Sequence, residues 1–196
     1  MAIIVNKDKK REEIALSCKD LIIKEGINNL TISAIAKEAN IGKGTFYEYF
    51  SNKYELVFEL VSIMLREYNK VTEQKLKEAK SIEEKLKLFA KFYYDKHYSE
   101  LRALYNQFIA ISIISPNKEM LEFQTKCFNK YKEWLVSILE QEVKSNNLPS
   151  KVVELADMLF VSVDGLYITS ITTNAIKNLQ KEIDSYIEKI LNLIKD

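Results

Sequence analysis

Residues 30–53, LTISAIAKEANIGKGTFYEYFSNK, contain two short stretches with apolar residues at helical spacing, separated by a turn. Thr31 is a good N-cap for a helix from Ile32 to Ala39, because its hydroxyl can accept a hydrogen bond from a backbone N–H of the first turn. Asn40 follows, and asparagine tolerates the left-handed backbone that a tight turn between helices requires. Residues 42–50 supply the second short helix. The segment therefore predicts a helix-turn-helix.

The side chains of this segment divide into an inner and an outer set. Ala36 and Ala39 are small enough for the two short helices to cross closely. The inner apolar residues, which we expect to pack against a preceding helix, are Ile35, Ile41, Phe46 and Phe50. The outer residues of the second short helix, whose size fits a DNA major groove, are Lys43, Gly44, Thr45, Tyr47 and Tyr49.

The remainder of the chain shows helical periodicity, which predicts an all-α fold. Only four glycines and two prolines occur among 196 residues, so few turns and long helices are expected. We expect about nine helices, with a three-helix N-terminal helix-turn-helix domain in residues 1–53 and a C-terminal helical bundle domain in residues 54–196. The first helix is predicted at 8–25. A fourth helix begins at about residue 53, behind the capping pair Asn52 and Glu55, and links the two domains.

Charge and residue types exclude several classes of function. The formal net charge is +1, and residues 1–53 hold nine Lys and Arg against seven Asp and Glu, so any DNA contact must come from a local patch. Cys18, Cys127 and His97 lack metal-site or disulfide-framework spacing, so no metal and no cofactor are predicted. No pattern of catalytic residues indicates an enzyme. No apolar stretch reaches the roughly 20 residues of a membrane span, which predicts a cytoplasmic protein.

Three strings carry a specific resemblance: T-x-x-x-I-A-x-x-A, G-K-G-T-F-Y-x-Y-F and S-N-K-x-E-L. They resemble the N-terminal domain of the TetR family of bacterial transcriptional regulators, over about residues 8–60. The resemblance implies that the second short helix is a recognition helix, that Tyr47 and Lys53 reach DNA phosphates, and that Thr31 caps its helix beside the DNA backbone. The predicted DNA-binding residues are Thr31, Ser33, Lys43, Gly44, Thr45, Phe46, Tyr47, Tyr49 and Lys53.

The segment also departs from the family pattern. Asn40 stands where glycine is common, and Glu48 adds an acidic side chain to the recognition helix. Ser33 and Ala34 replace longer polar residues, so the residues that read bases are not assigned. An alternative interpretation takes the recognition helix as an ordinary amphipathic core helix. Against it, four aromatic side chains cannot all face inward on so short a helix.

Aromatic residues of the larger domain are candidates for an apolar cavity between helices, which is where helical bundles hold ligands. Ordinary core packing is the alternative for each of them. Asp164, within an apolar segment, suggests a further hypothesis, recognition of a cationic ligand. The predicted ligand-binding residues are Phe89, Tyr93, Phe108, Phe128, Trp134, Phe160, Asp164 and Tyr167.

The last two predicted helices indicate a homodimer. Residues 152–171 are apolar on more than one face, and a helix of this kind needs two partners. With the helix at 177–195 they predict a twofold interface that forms a four-helix bundle. A dimer would place two recognition helices in major grooves about 34 Å apart on a near-palindromic operator.

The leading prediction is therefore a TetR-like transcriptional repressor that a small, largely apolar effector releases from double-stranded DNA. An alternative of a different class is a helical ligand-binding or scaffold dimer whose N-terminal module does not bind DNA. Glu48, Ser33 and the nearly neutral N-terminal charge favour that alternative.

Overall fold

The computed structural model describes residues 6–145 and 148–195, and regular structure in these ranges is helical throughout. This confirms the all-α prediction, and within the same ranges no helix is long and apolar enough to cross a membrane. The α-helices are α1 Lys7–Ser17, α2 Lys19–Glu25, α3 Ile32–Glu38, α4 Lys43–Tyr49, α5 Lys53–Glu78, α6 Ile82–Ala90, α7 Ser99–Ile114, α8 Lys118–Lys144, α9 Ala156–Thr172 and α10 Leu179–Lys195.

The predicted first helix is two helices in the structure, which accounts for ten α-helices in the described ranges where about nine were expected. The hydroxyl of Ser17 donates to the carbonyl oxygen of Ile14 at 2.9 Å. That oxygen is the acceptor that the Cys18 N–H would use in a continuous helix, and the Cys18 N–H bonds instead to Ala15 at 3.3 Å. A side chain that competes for a backbone acceptor in this way interrupts the helix.

The chain folds into two compact units, each formed from two separate segments. Unit 1 comprises the chain through Asn69 together with Glu100–Gln124, and unit 2 comprises Lys70–Ser99 together with the chain from Thr125. These units follow packing, whereas the predicted boundary between residues 53 and 54 follows the motif. That functional division stays a prediction.

Unit 1 has a core of apolar side chains from the helix-turn-helix and from α5 and α7. Phe58, Phe108 and Phe123 form an aromatic cluster in which the Phe58 and Phe123 rings stack with centroids 4.5 Å apart. The Gln107 side chain of α7 accepts a hydrogen bond from the Ile27 N–H at 2.8 Å. The fully buried large side chains of this unit are Ile22, Ile27, Ile35, Phe46, Phe50, Leu56, Val57, Leu60, Leu104 and Met120.

Unit 2 packs α6 and α9 against α10, with the C-terminal part of α8 in the same core. Lys87 on α6 donates to Glu83 at 2.6 Å and to Glu188 of α10 at 2.9 Å. Lys85 pairs with Glu142, a carboxylate that is almost fully buried. Apolar burial and a few charged pairs therefore hold the bundle together.

Candidate functional site

The turn between α3 and α4 has the backbone geometry of a Schellman motif. Asn40 has a φ of 51°, in the left-handed region, as its residue type predicts. Its N–H bonds to Lys37 at 3.1 Å, and the N–H of Ile41 reaches back to Ala36 at 2.9 Å. These two bonds satisfy carbonyls that the end of α3 leaves open, so Asn40 fixes where α3 stops and α4 starts.

Helix α3 begins as the sequence indicates. The Thr31 hydroxyl accepts a hydrogen bond from the Ala34 N–H at 3.2 Å, which confirms Thr31 as the N-cap. Thr31 and Ser33 are both exposed at this end of the helix. Their contact with DNA stays a prediction.

Helix α4 presents polar residues on one side and buries aromatic residues on the other. Lys43, Gly44 and Tyr47 are exposed, with Tyr47 at 59%, and Thr45 and Tyr49 are half-buried. Phe46 is 0% exposed and packs edge-on against Tyr47, with ring centroids 5.4 Å apart. The prediction of Phe46 as a DNA-binding side chain was therefore wrong. Apolar burial places its ring in the core, where it packs beneath the exposed residues of α4.

Gly44 has open space where a side chain would stand. Beyond its chain neighbours and its own helix backbone, a Cβ built at Gly44 meets no atom within 4 Å, and beyond its chain neighbours one built at Gly42 meets Thr45 Oγ1, at 3.8 Å. The fold itself therefore does not require glycine at position 44. The bare backbone leaves N–H groups of the first turn of α4 accessible to an anion.

Lys53 is bound within the chain. Its ammonium donates to the carbonyl oxygens of Asn28 at 2.8 Å and Leu30 at 3.1 Å, and lies 5.5 Å from the ring centroid of Tyr54. Burial lowers the pKa of Lys53. Because an ammonium has three N–H donors, one remains for the predicted phosphate contact.

Arg11 on α1 is a site residue that the sequence did not reveal. Its guanidinium bonds to Glu55 at 3.0 Å and Glu59 at 3.3 Å, both on α5. It also donates to the carbonyl oxygen of Tyr49, the last residue of α4, and lies 4.5 Å from the ring centroid of Phe50. These partners are 38 to 48 residues away in sequence, so no local pattern could indicate them.

Glu55 completes this cluster. Its other carboxylate oxygen accepts a hydrogen bond from the Ser51 N–H at 2.7 Å. Burial raises the pKa of Glu55, but the hydrogen bonds from Ser51 and Arg11 outweigh burial and leave the pKa below its ordinary value. The carboxylate is therefore ionised and available to Arg11 at neutral pH.

Unit 2 contains a small, partly open apolar cavity of about 30 Å³. The only polar side-chain atoms among its lining residues are two tyrosine hydroxyls. Such a cavity suits a hydrocarbon group, although the present volume holds roughly one water molecule. The lining residues are Leu86, Phe89, Ala90, Tyr93, Leu135, Leu159, Phe160, Val163, Tyr186 and Ile187.

Three of the predicted ligand-binding residues, Phe89, Tyr93 and Phe160, line this cavity. Three others form ring contacts with them, with centroids 5.2 to 5.6 Å apart; these are Phe128, Trp134 and Tyr167. Asp164 is half-buried and does not line the cavity. The grouping of Phe108 with these residues was wrong, because Phe108 packs with Phe58 and Phe123 in unit 1.

Helix α9 keeps an apolar face exposed. Met158 is 64% exposed and Val161 is 55% exposed. Gly165, spaced seven residues from Met158, lies on the same face, and a Cβ there meets nothing within 4 Å. Leu193 of α10 is 71% exposed in the same unit. These side chains remain largely exposed among the residues that the structure describes.

Comparison with known proteins agrees with the helix-turn-helix geometry. The sequence model of a family described as bacterial regulatory proteins, tetR family, matches residues 19–60. The fatty acid metabolism regulator protein of Bacillus subtilis (strain 168) is 25% identical over 192 residues, which is 96% of this chain and 95% of that protein.

Solved structures show the same fold over nearly the whole chain. A TetR-family transcriptional regulator from Cytophaga hutchinsonii superposes with a TM-score of 0.76 at 17% identity, covering 97% of both chains. The transcriptional regulator FadR from Bacillus subtilis, solved in complex with stearoyl-CoA, has a TM-score of 0.67 at 25% identity and covers 90% of this chain and 95% of its own. The helix-turn-helix of unit 1 therefore matches the sequence model of the TetR family of bacterial transcriptional regulators, and the whole described fold is similar to that of TetR-family regulators.

Proposed function

We propose that the protein is a cytoplasmic, homodimeric transcriptional repressor. It is released from a near-palindromic operator when a fatty-acyl effector enters unit 2. It acts as a regulator and not as an enzyme, and its site of action is the cytoplasm. The observation that carries the effector assignment is the cavity, whose lining is hydrocarbon and aromatic apart from two hydroxyls.

The exposed side of α4 supports operator binding. Lys43 and Tyr47 are exposed beside the uncovered backbone of Gly44, while Phe46 and Phe50 anchor the helix from below. Positive charge, a hydroxyl and open N–H groups suit a phosphate backbone and base edges. Glu48, also exposed, suits a cytosine amino group as acceptor.

The relatives support the acyl class of effector. The Bacillus subtilis relative is named a fatty acid metabolism regulator, and FadR of that species was solved with stearoyl-CoA. Ligand pockets commonly measure about 300 Å³ or more, roughly ten times the cavity of about 30 Å³ seen here. An acyl chain can therefore bind only a more open bundle, and this differential affinity is what shifts the population of conformations.

The exposed face of α9 supports a homodimer. Met158 and Val161 together form an apolar surface, and Gly165 leaves space for close approach of another helix. Glycine within a helix costs stability, so open space beside it favours a role in contact with a second chain. A twofold dimer through α9 and α10 also presents two copies of α4 to DNA.

The experiment measures which DNA sequences the protein selects and whether the effector releases the bound DNA. The wild-type protein is used to select duplexes from a random-sequence library, and stearoyl-CoA is then titrated into the complex with coenzyme A alone as control. We expect an enriched near-palindromic sequence and dissociation by stearoyl-CoA only. Failure to enrich any sequence would contradict the operator-binding role and favour a scaffold dimer.

Lys43→Met sharpens the test, with Lys24→Met as the control, since Lys24 is an exposed lysine of α2 outside the helix-turn-helix. Loss of one phosphate contact should reduce the slope of log affinity against log salt concentration by about 0.9. The control should keep the wild-type slope. Equal slopes for the two variants would remove Lys43 from the DNA-binding surface.

A further inference from the structure

We propose that Arg11 is a positioning residue for the recognition helix α4, and that operator selectivity depends on its bonds to Tyr49, Glu55 and Glu59. The inference rests on the proposed function, since it names the group that orients the DNA-contacting helix. Arg11 itself lies on α1 and is predicted to touch no DNA.

Helix α4 is short. With seven residues it has barely two turns, and the carbonyl oxygens at its C-terminal end, beyond Phe46, lack an intrahelical donor. Such a helix has little stability of its own and takes its direction from its neighbours. The guanidinium of Arg11 donates to one of these open carbonyls, that of Tyr49, where a positive charge also complements the helix dipole.

Arg11 also connects α4 with α5. Arg11 bonds to Glu55 at 3.0 Å, and Glu55 accepts from the Ser51 N–H at 2.7 Å, two residues after α4 ends. The hydrogen bonds thus run from the last carbonyl of α4 through Arg11 and Glu55 back to the chain just beyond it. This closed arrangement fixes the direction in which α4 meets α5.

The bonds of Arg11 are shielded from water. The Arg11 and Glu59 side chains are each 20% exposed, and the guanidinium lies over the buried ring of Phe50. Charged hydrogen bonds that water reaches poorly are stronger than surface pairs. A planar guanidinium can serve three acceptors in one plane, which a lysine ammonium cannot reproduce.

The experiment compares Arg11→Met and Arg11→Lys with Lys10→Met, the neighbouring residue whose exposed pair with Glu13 at 3.2 Å joins only α1 to itself. Affinity is measured for a duplex that the wild type selects and for a scrambled duplex, well below the melting temperature of each variant. We expect Arg11→Met to lower affinity for the selected duplex at least tenfold and for the scrambled duplex less than twofold. Arg11→Lys should recover only part of the loss, and Lys10→Met should match the wild type.

Other outcomes overturn the inference. Equal losses on both duplexes, with a smaller salt slope, would make Arg11 a DNA contact. A lower melting temperature with unchanged selectivity would make it a merely structural residue.

A second measurement needs no DNA. Amide hydrogen exchange at Tyr49 and Phe50 should be at least tenfold faster in Arg11→Met than in Lys10→Met, and unchanged exchange would contradict the positioning role. If the wild type selects no duplex, the proposed function fails. Amide exchange still tests whether Arg11 positions α4. Glu59→Gln keeps Arg11 and removes one of its charged partners, so amide exchange at Tyr49 and Phe50 should accelerate less. This variant replaces Arg11→Met in the measurement if Arg11→Met does not fold.

Discussion

Gly44 lies in the first turn of α4, exposed and with open space around the position of a Cβ. Alanine fits helical backbone better than glycine and restricts the unfolded chain more. The glycine therefore lowers the stability of the folded chain at a position where no neighbour demands it. In the proposed function, the glycine leaves room for DNA to approach this backbone.

Gly44→Ala is expected to raise the free energy of unfolding by about 0.4–1 kcal/mol and to weaken affinity for the selected duplex. The methyl group would occupy the space that a phosphate or base edge needs. Thermal denaturation and a DNA titration on the same preparation check both effects. Unchanged DNA affinity in the stabilised variant would show that α4 does not approach DNA at this position.

Single residues in this site were predictable where the reason is local. Thr31 as a cap and Asn40 as the left-handed residue follow from side-chain chemistry acting within three residues. Phe46 was predicted both as an inner apolar residue and as a DNA-binding residue. Its complete burial shows that it belongs to the core. Arg11 was missed because its acceptors are brought to it only by tertiary folding.

At the scale of elements, the hydrophobic periodicity predicted most helices because each buries one continuous face. Two capping pairs differ in one detail from the expected reciprocal box. The Asn52 side chain accepts from the Glu55 N–H, as predicted, and the Ser81 hydroxyl accepts from the Glu84 N–H in the same way at the start of α6. The glutamates, however, reach back to the N–H of the residue before the cap, in the first case Ser51. The break at Cys18 was not predictable, because serine competes for a helical carbonyl only in some settings.

The exposed face of α9 is tested by Val161→Glu. Because Val161 is 55% exposed, a charge there should affect folding of the single chain little, whereas it would be buried without a partner in the proposed dimer. We expect a monomer by sedimentation velocity at concentrations where the wild type is dimeric. Leu16→Glu, at an apolar residue of α1 that is 47% exposed, is the control and should leave the dimer intact. A dimeric Val161→Glu variant would move the interface elsewhere.

At the scale of the whole molecule, the helical fold follows from sequence, but the grouping of helices does not. The motif ends near residue 53, yet α7 residues such as Gln107 pack in the same unit as the helix-turn-helix. Phe108 was misplaced for this reason: its apolar character is visible in the sequence, and its packing partners are not. The cavity was predicted by residue type, whereas its small volume depends on how the side chains interlock.

The coupling of the cavity to DNA release is tested by Ala90→Val. Ala90 lines the cavity, and two added methyl groups would fill most of its volume of about 30 Å³. Stearoyl-CoA should then release the selected duplex only at a concentration at least tenfold higher, with DNA affinity itself unchanged. The control is Ala156→Val, since Ala156 is equally buried in unit 2 but does not line the cavity. Equal release curves for the two variants would place the effector elsewhere.

The path of the chain through its two units has a consequence for protein engineering. The polypeptide leaves unit 1 after Asn69, returns at Glu100 and leaves again after Gln124. A gene fusion with one junction therefore cannot transplant unit 1 by itself: a junction after Asn69 leaves α7 behind, and a junction after Gln124 carries Lys70–Ser99 of unit 2 along. Hybrid regulators made from this scaffold need three junctions, or a replacement of the surface residues of α4 alone.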